Sequence, residues 1–186
     1  MTITLIDAQA SAPQPWRNGG GRTRELLVWP AQGAWRLRIS RADIEADGPF
    51  SPFAGVTRWF AVLSGAGVEL AFEASKRSLR AGDGALCFNG SNAPGCRLLN
   101  GPTEDLNLMA AGGHSVMRRA VAGQPWDEPL AMRGLYTPVA GHWHAPPHRR
   151  LVPAHTLLWD DNPSGAWTFD PVAAAPCAAW WLGFTP

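Results

Sequence analysis

At 186 residues, with 46% hydrophobic and 17% charged side chains, the chain is long enough to bury a core, either as one large domain or as two small ones. Its sixteen basic and fifteen acidic residues nearly cancel, which excludes the basic face of a nucleic-acid binder and the acidic block of a charged tail. Every basic residue except Lys76 is an arginine, which suits bidentate carboxylate binding but equally follows from codon preference, so individual positions have to argue for a site.

Residues 1–16 contain Asp7 and lack both a basic start and a long apolar run, so no signal peptide is expected. The longest apolar stretch, residues 173–184, is interrupted by Pro176 and is too short to span a bilayer. A cytosolic protein without membrane contact is the expectation. The three cysteines, Cys87, Cys96 and Cys177, are odd in number and have no C-x-x-C spacing; neither a zinc site nor a disulfide framework is predicted, and buried, unreactive thiols are expected.

Twenty glycines and seventeen prolines punctuate the chain too often for long helices and favour short strands. The first unusual element is Trp16-Arg17-Asn18-Gly19-Gly20-Gly21-Arg22-Thr23-Arg24-Glu25. Three glycines in a row allow positive φ and close approach by another group. A phosphate-binding loop is not indicated, because no Lys-Ser/Thr follows and no apolar strand precedes. Beyond the turn, Thr23 and Glu25 share one strand face, and Arg22 and Arg24 the other. Residues 35–40 alternate at period two, with Arg36, Arg38 and Ser40 on one face and Trp35, Leu37 and Ile39 on the opposite one. Taken alone, that polar face reads as a solvated outer surface. Residues 59–63 form an apolar strand closed by Ser64-Gly65. In residues 105–109, Asp105, Asn107 and Met109 share one face, and Leu106 and Leu108 the other. Residues 113–120 offer at most a weak helix before Gly123 and Pro125, so residues 111–129 read as a connector.

The two halves repeat one another. Ala61-Val62-Leu63-Ser64-Gly65 is followed by Leu79-Arg80-Ala81-Gly82-Asp83 and the apolar Leu86-Cys87-Phe88; Val139-Ala140-Gly141 is followed by Leu151-Val152-Pro153-Ala154-His155 and the apolar Leu157-Leu158-Trp159. Strand, glycine turn, return strand and a tight turn into a core strand resemble the cupin barrel, with Ala154-His155 standing where the first half has Gly82-Asp83. The predicted fold is all-β: two tandem cupin-like (jelly-roll) barrels, a bicupin, with residues 1–110 in the first, 111–129 connecting, and 130–186 in the second. The N-terminal strands could complete either barrel, and a single β-sandwich is the alternative.

Four segments in order carry a more specific resemblance: the Trp16 to Glu25 run; Arg38-Ile39-Ser40-Arg41-Ala42-Asp43-Ile44; Asp47-Gly48-Pro49-Phe50-Ser51-Pro52-Phe53-Ala54-Gly55-Val56-Thr57-Arg58; and Asp105-Leu106-Asn107-Leu108-Met109. Together they resemble the HutD/Ves family over about the first 110 residues. Leu37 stands where that family often has an aromatic residue, and Ala111 where an arginine commonly follows. The resemblance implies a bicupin without an established catalytic metal, linked to histidine utilisation and binding a small carboxylate such as formylglutamate, in order to sense or sequester it. A dicarboxylate would want guanidinium forks and neutral donors in a partly dry pocket. The expected ligand-binding residues are Asn18, Gly19, Gly20, Gly21, Thr23, Glu25, Arg38, Phe50, Arg58, Asp105 and Asn107. The glycines would form a rim, and Glu25 and Asp105 would orient the arginines. No cofactor is expected; the expected partner is a small carboxylate, with the chain a monomer or homodimer.

Metal binding through His142, His144 and His148 is the competing site. It is disfavoured because no carboxylate occurs between Gly141 and Leu158, and because Pro146 and Pro147 separate the last two imidazoles. Two other functions compete with binding: a cupin isomerase or hydrolase acting on a small acid, and a structural domain using the ten tryptophans for protein contacts. No nucleophile and base are recognisable as a local pattern, so no catalytic residue is assigned.

Overall fold

The computed structural model describes residues 3–173 and 179–186, so Pro176 and the third cysteine, Cys177, lie outside the described residues. Among the described residues there are strands and no helix. In chain order they are β1 (Ile3–Asp7), β2 (Pro13–Pro15), β3 (Gly21–Trp29), β4 (Leu37–Ile44), β5 (Gly48–Pro49), β6 (Val56–Gly65), β7 (Val68–Ala71), β8 (Lys76–Leu79) and β9 (Leu86–Asn89). They continue with β10 (Gly95–Leu98), β11 (Thr103–Ala111), β12 (His114–Arg119), β13 (Met132–Thr137), β14 (Gly141–Ala145), β15 (His148–Val152), β16 (Thr156–Asp160), β17 (Thr168–Pro171) and β18 (Trp180–Thr185). The all-β expectation holds.

The chain divides into two compact units. Ser11–Gly112 contains a six-stranded sheet, β2-β3-β4-β11-β6-β9, and a four-stranded sheet, β5-β10-β7-β8. The other unit, Gly113 onward with the segment up to Ala10, contains a five-stranded sheet, β1-β16-β13-β18-β12, and a three-stranded sheet, β15-β14-β17. None of the four sheets closes on itself.

The sequence repeat is a repeat of strand path. β7 and β8 form a hairpin in the smaller sheet, β9 returns beside β6, β10 pairs with β7, and β11 pairs with β6. One unit later, β14 and β15 form the hairpin, β16 returns beside β13, β17 pairs with β14, and β18 pairs with β13. The turn that follows the hairpin corrects the expected alignment. Gly82 has φ 96° three residues after Leu79, and His155 has φ 55° three residues after Val152. His155 therefore occupies the left-handed position of Gly82, rather than that of Asp83. An unbranched polar side chain tolerates this region better than a β-branched one.

One further expectation differs from the structure, and one left open is decided by it. Residues 111–129 are not merely a connector, because β12 lies within them and pairs with β18 from His114↔Thr185 to Arg119↔Trp180. Its pattern is too short to declare itself, and its partner strand is far away in sequence. The first segment of the chain belongs with the C-terminal unit, because β1 pairs with β16 through Ile3↔Asp160 to Asp7↔Thr156.

Each unit has its own apolar core. In Ser11–Gly112 it comprises Ile44, Phe50, Phe60, Val62, Val68, Leu70, Leu79 and Cys96. In the other unit tryptophans fill the interior: Trp126 and Trp181 stack at 5.2 Å, and Trp143 meets Trp167 edge-on at 5.0 Å. Tyrosine and tryptophan rings contribute large buried areas per side chain, so this packing accounts for four of the ten tryptophans without invoking a protein partner.

Candidate functional site

Strand register brings the polar positions of Ser11–Gly112 together. Thr23 pairs with Ala42 and Ala42 with Asp105; Glu25 pairs with Ser40 and Ser40 with Asn107; Arg38 pairs with Met109 and Met109 with Arg58. Directly paired residues share a sheet face. These rows therefore build one polar surface across β3, β4, β11 and β6, and the leucines of β11 point the other way. A cavity of about 580 Å³ opens on it. Asn18, Thr23, Arg38, Phe50, Arg58, Asp105 and Asn107 line this cavity, together with Trp16, Arg17, Ser40, Phe53 and Met109 among others. The polar face of residues 38–40 thus meets a cavity, not bulk water.

Arg58 is the deep cation. It is 6% exposed, with Nη2 donating to Asn107 Oδ1 at 3.1 Å and Nη1 to the Ser51 carbonyl at 3.4 Å. Three rings surround its guanidinium, Phe50 at 5.0 Å, Phe88 at 5.3 Å and Phe53 at 5.7 Å. Aromatic faces attract a cation electrostatically but remove its water. Desolvation accordingly lowers the Arg58 pKa to about 10, opposed by the attraction of Asp105 and reinforced by the repulsion of Arg38. The group stays cationic at neutral pH, and its Nε has no hydrogen-bond partner.

Arg38 is held differently, with Nε donating to Glu25 Oε2 at 2.9 Å in a half-exposed ion pair. Glu25 thus meets an arginine directly, at the point where the register of β3 shifts between Glu25 and Leu27. Asp105 does not: its Oδ1 accepts from Asn107 Nδ2, and it is Asn107 that meets Arg58. Asp105 is 1% exposed. Burial pushes its carboxyl up to about 8; Arg58 pulls it back, Asp43 adds to the rise, and the Asn107 hydrogen bond and Arg41 lower it.

The glycine run does not form the expected rim, and Gly19, Gly20, Gly21 and Glu25 are outside the cavity lining. The run is a turn between β2 and β3, and its Gly20 carbonyl accepts from the Glu45 and Ala46 N–H groups at 2.9 and 3.1 Å. Gly19 N–H donates to the Trp16 carbonyl at 3.0 Å, Gly20 N–H to Asn18 Oδ1 at 3.0 Å, and Trp16 N–H to the Gly21 carbonyl at 2.9 Å. Gly19 and Gly20 donors are thereby used within the turn. The requirement at Gly21 is close approach, since a Cβ there would lie 2.3 Å from the Asp43 carbonyl and 3.2 Å from the Trp16 ring. The turn sets Trp16 in the cavity wall, where its Nε1–H donates to Thr23 Oγ1 at 2.7 Å. Trp16 and Arg17 were inside the quoted motif, and Ser40 and Met109 follow from alternation beside Arg38 and Asn107. Phe53 also lay inside a quoted motif, but on a loop, where alternation gives no signal of its direction.

The cysteines differ from one another. Cys96 is buried, its thiol pushed up to about 12 by burial and by Asp105 and Asp47, whereas Cys87 is exposed, against the expectation of a buried thiol. On β14, His142 and His144 share one face, with Leu151 and Arg149 as their partners on β15, and His148 pairs with Ala145. Among the described residues, no group of three or more His, Cys, Asp or Glu side chains could hold a metal ion. No helix among them is long and apolar enough to cross a membrane.

The HutD family model matches residues 8–168. An uncharacterised 21.2 kDa protein in the hutC 3′ region of Pseudomonas putida is 40% identical over 114 residues, 59% of this chain and 58% of that relative. The match thus spans less than two thirds of that relative's length. The structure of HutD from Pseudomonas fluorescens SBW25 superposes with a TM-score of 0.84 at 25% identity, covering 99% of this chain and 98% of the other. A cupin 2 conserved barrel domain protein from Leptotrichia buccalis has a TM-score of 0.57 at 10% identity, over 100% and 98% of the two chains, and is a likeness of fold alone.

Proposed function

The chain belongs to the HutD family, and from that premise we propose that its Ser11–Gly112 unit binds a small carboxylate metabolite of histidine degradation, with formylglutamate the leading candidate. In this reading it is a cytoplasmic protein that senses or sequesters its ligand without a chemical step. Each unit is read as one cupin-like barrel, supported by the repeated strand path from β6–β11 to β13–β18 and by the cupin-like fold of the structural relatives.

The observation that carries the proposal is the convergence of Arg38 and Arg58 on one cavity with the neutral donors Asn18, Thr23, Ser40 and Asn107. Arg58 is dry enough for its charge to be weakly screened, and Phe50 and Phe53 form the apolar wall. A carboxylate exchanging its hydration for a guanidinium fork gains both charge and geometry there. The Arg38–Glu25 pair holds the second guanidinium in the cavity lining.

A calorimetric titration of histidine-pathway acids, N-formyl-L-glutamate included, with and without chelator, tests this. At least one acid should bind in the presence of chelator and be recovered unchanged. Removing a charged hydrogen-bond partner from such a site costs about 2–5 kcal/mol, so Arg38→Ala and Arg58→Ala should each weaken binding about 30-fold or more. If both variants bind a confirmed ligand as tightly as the parent, the site is elsewhere. Product formation would replace the sensor with the isomerase or hydrolase alternative.

A further inference from the structure

Asp105 is the one acidic side chain in the lining of this cavity. It projects from β11 beside Asn107, on the face that also carries Arg38 and Arg58 across the neighbouring strands. A buried carboxylate in a site for carboxylates is a contradiction unless an arginine neutralises it. None does so directly: Arg58 is committed to Asn107 and to the Ser51 carbonyl, and Arg38 to Glu25. Arg41, on the adjacent strand, pairs instead with Asp43 and Glu104 on the opposite sheet face.

The charges in the site sharpen the point. Arg17 in the lining is exposed to solvent, and Arg38 and Glu25 cancel as an ion pair, so Arg58 and Asp105 set the charge of the buried end. With Asp105 ionised, the charge of Arg58 is also balanced, and an incoming carboxylate would lie against a like charge in a poorly screened space. With Asp105 protonated, Arg58 is left with one uncompensated positive charge, and the acid acquires an O–H donor.

We propose that Asp105 is the specificity-determining residue of the cavity: it acts as a neutral carboxylic acid whose O–H donates to an oxygen of a ligand carboxylate seated against Arg58. The inference rests on the carboxylate-binding reading above and names the partner that recognises the anion at the deep end. One Asp105 oxygen stays with the Asn107 amide, and the other carries the proton. A carboxylate then receives a guanidinium on one side and an acid on the other, while an amide or alcohol can accept the same hydrogen bonds but brings no charge to balance Arg58. Ligand discrimination therefore depends on proton occupancy.

The surroundings agree. Desolvation raises the Asp105 pKa first and Asp43 raises it further, against the opposing effects of Arg58, Asn107 and Arg41. On β10 the Cys96 thiol, pushed up to about 12, stays protonated and adds no charge near neutrality. A ligand that prefers the protonated form draws the proton more tightly, so its observed affinity falls as pH rises through the free-protein pKa.

The experiment is isothermal titration of the full chain with N-formyl-L-glutamate between pH 6 and pH 9.5, repeated in buffers of different ionisation enthalpy, together with infrared difference spectra of the ligand-free protein. The expected results are a level affinity up to about pH 8, a loss approaching tenfold per pH unit above it, and uptake of up to one proton on binding in that range. The infrared spectrum at pH 6 should contain a protonated carboxyl band that Asp105→Asn lacks, and that variant should give a flat affinity profile over the same range. The wild-type proton uptake needs no variant to fold. Binding with a flat wild-type profile and no proton uptake overturns this inference alone. A probe that binds at no pH overturns the carboxylate reading itself, and the donor role with it.

Discussion

Arg58 on β6 reaches diagonally to Asn107 on β11, its Nη2 donating to Oδ1 at 3.1 Å, although the register pairs Arg58 with Met109 and Asn107 with Phe60. That bond commits the amide oxygen to the arginine and turns Nδ2 toward Asp105, so one neutral side chain keeps a cation and an acid apart while satisfying both. For the proposed anionic ligand, this separation leaves the Arg58 charge available.

Replacing Asn107 with Ala should therefore remove a partner from two buried groups at once. Leaving buried polar groups unsatisfied costs about 1–3 kcal/mol each, and the Asn107→Ala variant should lose stability on that scale in urea denaturation. Asn107→Leu, similar in size to the native side chain, should lose a comparable amount. A loss within about 0.5 kcal/mol for both would mean that the Arg58–Asn107–Asp105 chain is solvated.

The glycine run should be unequal in its tolerance. At Gly19, φ is 71° and no heavy atom lies within 4 Å of a built Cβ, so Gly19→Ala carries only the left-handed backbone penalty of about 1–2 kcal/mol. At Gly21 the added carbon would lie 2.3 Å from the Asp43 carbonyl, and β3 and β4 would have to separate. Thermal melts should rank Gly21→Ala well below Gly19→Ala. Equal melting temperatures would mean that the β3–β4 pairing gives way without cost.

Asp105 should also make stability depend on pH. Its folded pKa, about 8, lies above the ordinary aspartate value of 3.8, so between these values the folded chain holds a proton that the unfolded chain has released. Stability attributable to this group is then complete below about pH 4 and declines as pH rises toward 8, by at most about 1.4 kcal/mol per unit. Subtracting the Asp105→Asn profile isolates the effect. A difference that grows in the opposite direction would identify Asp105 as a stabilising carboxylate.

Much of the architecture was legible because alternation has a period of two. Arg38 and Ser40, and Asp105, Asn107 and Met109, had to share faces wherever their strands were placed, and the repeat of turn and apolar strand announced two related units. The match to a known motif pattern then tied Asn18, Thr23 and Arg58 to the same surface. Local pattern failed at β12, a short strand whose partner is β18, and at the glycine run, where conformational freedom suggested a ligand cradle but the donors close a turn.

By itself, then, the sequence determined the all-β character, the repeat, and the side of each strand on which the polar residues stand, because backbone geometry alone dictates them. Only the tertiary structure decided that this side faces a cavity instead of solvent, that Glu25 pairs with Arg38 while Asp105 pairs with Asn107, and that three phenylalanines enclose Arg58. Those outcomes depend on which strands become neighbours and at what register, and on how the Phe50 to Phe53 loop folds over the sheet. Burial and pairing, which set the charge state of Arg58 and Asp105, arise from contacts between segments distant in the chain, and no local residue pattern encodes them.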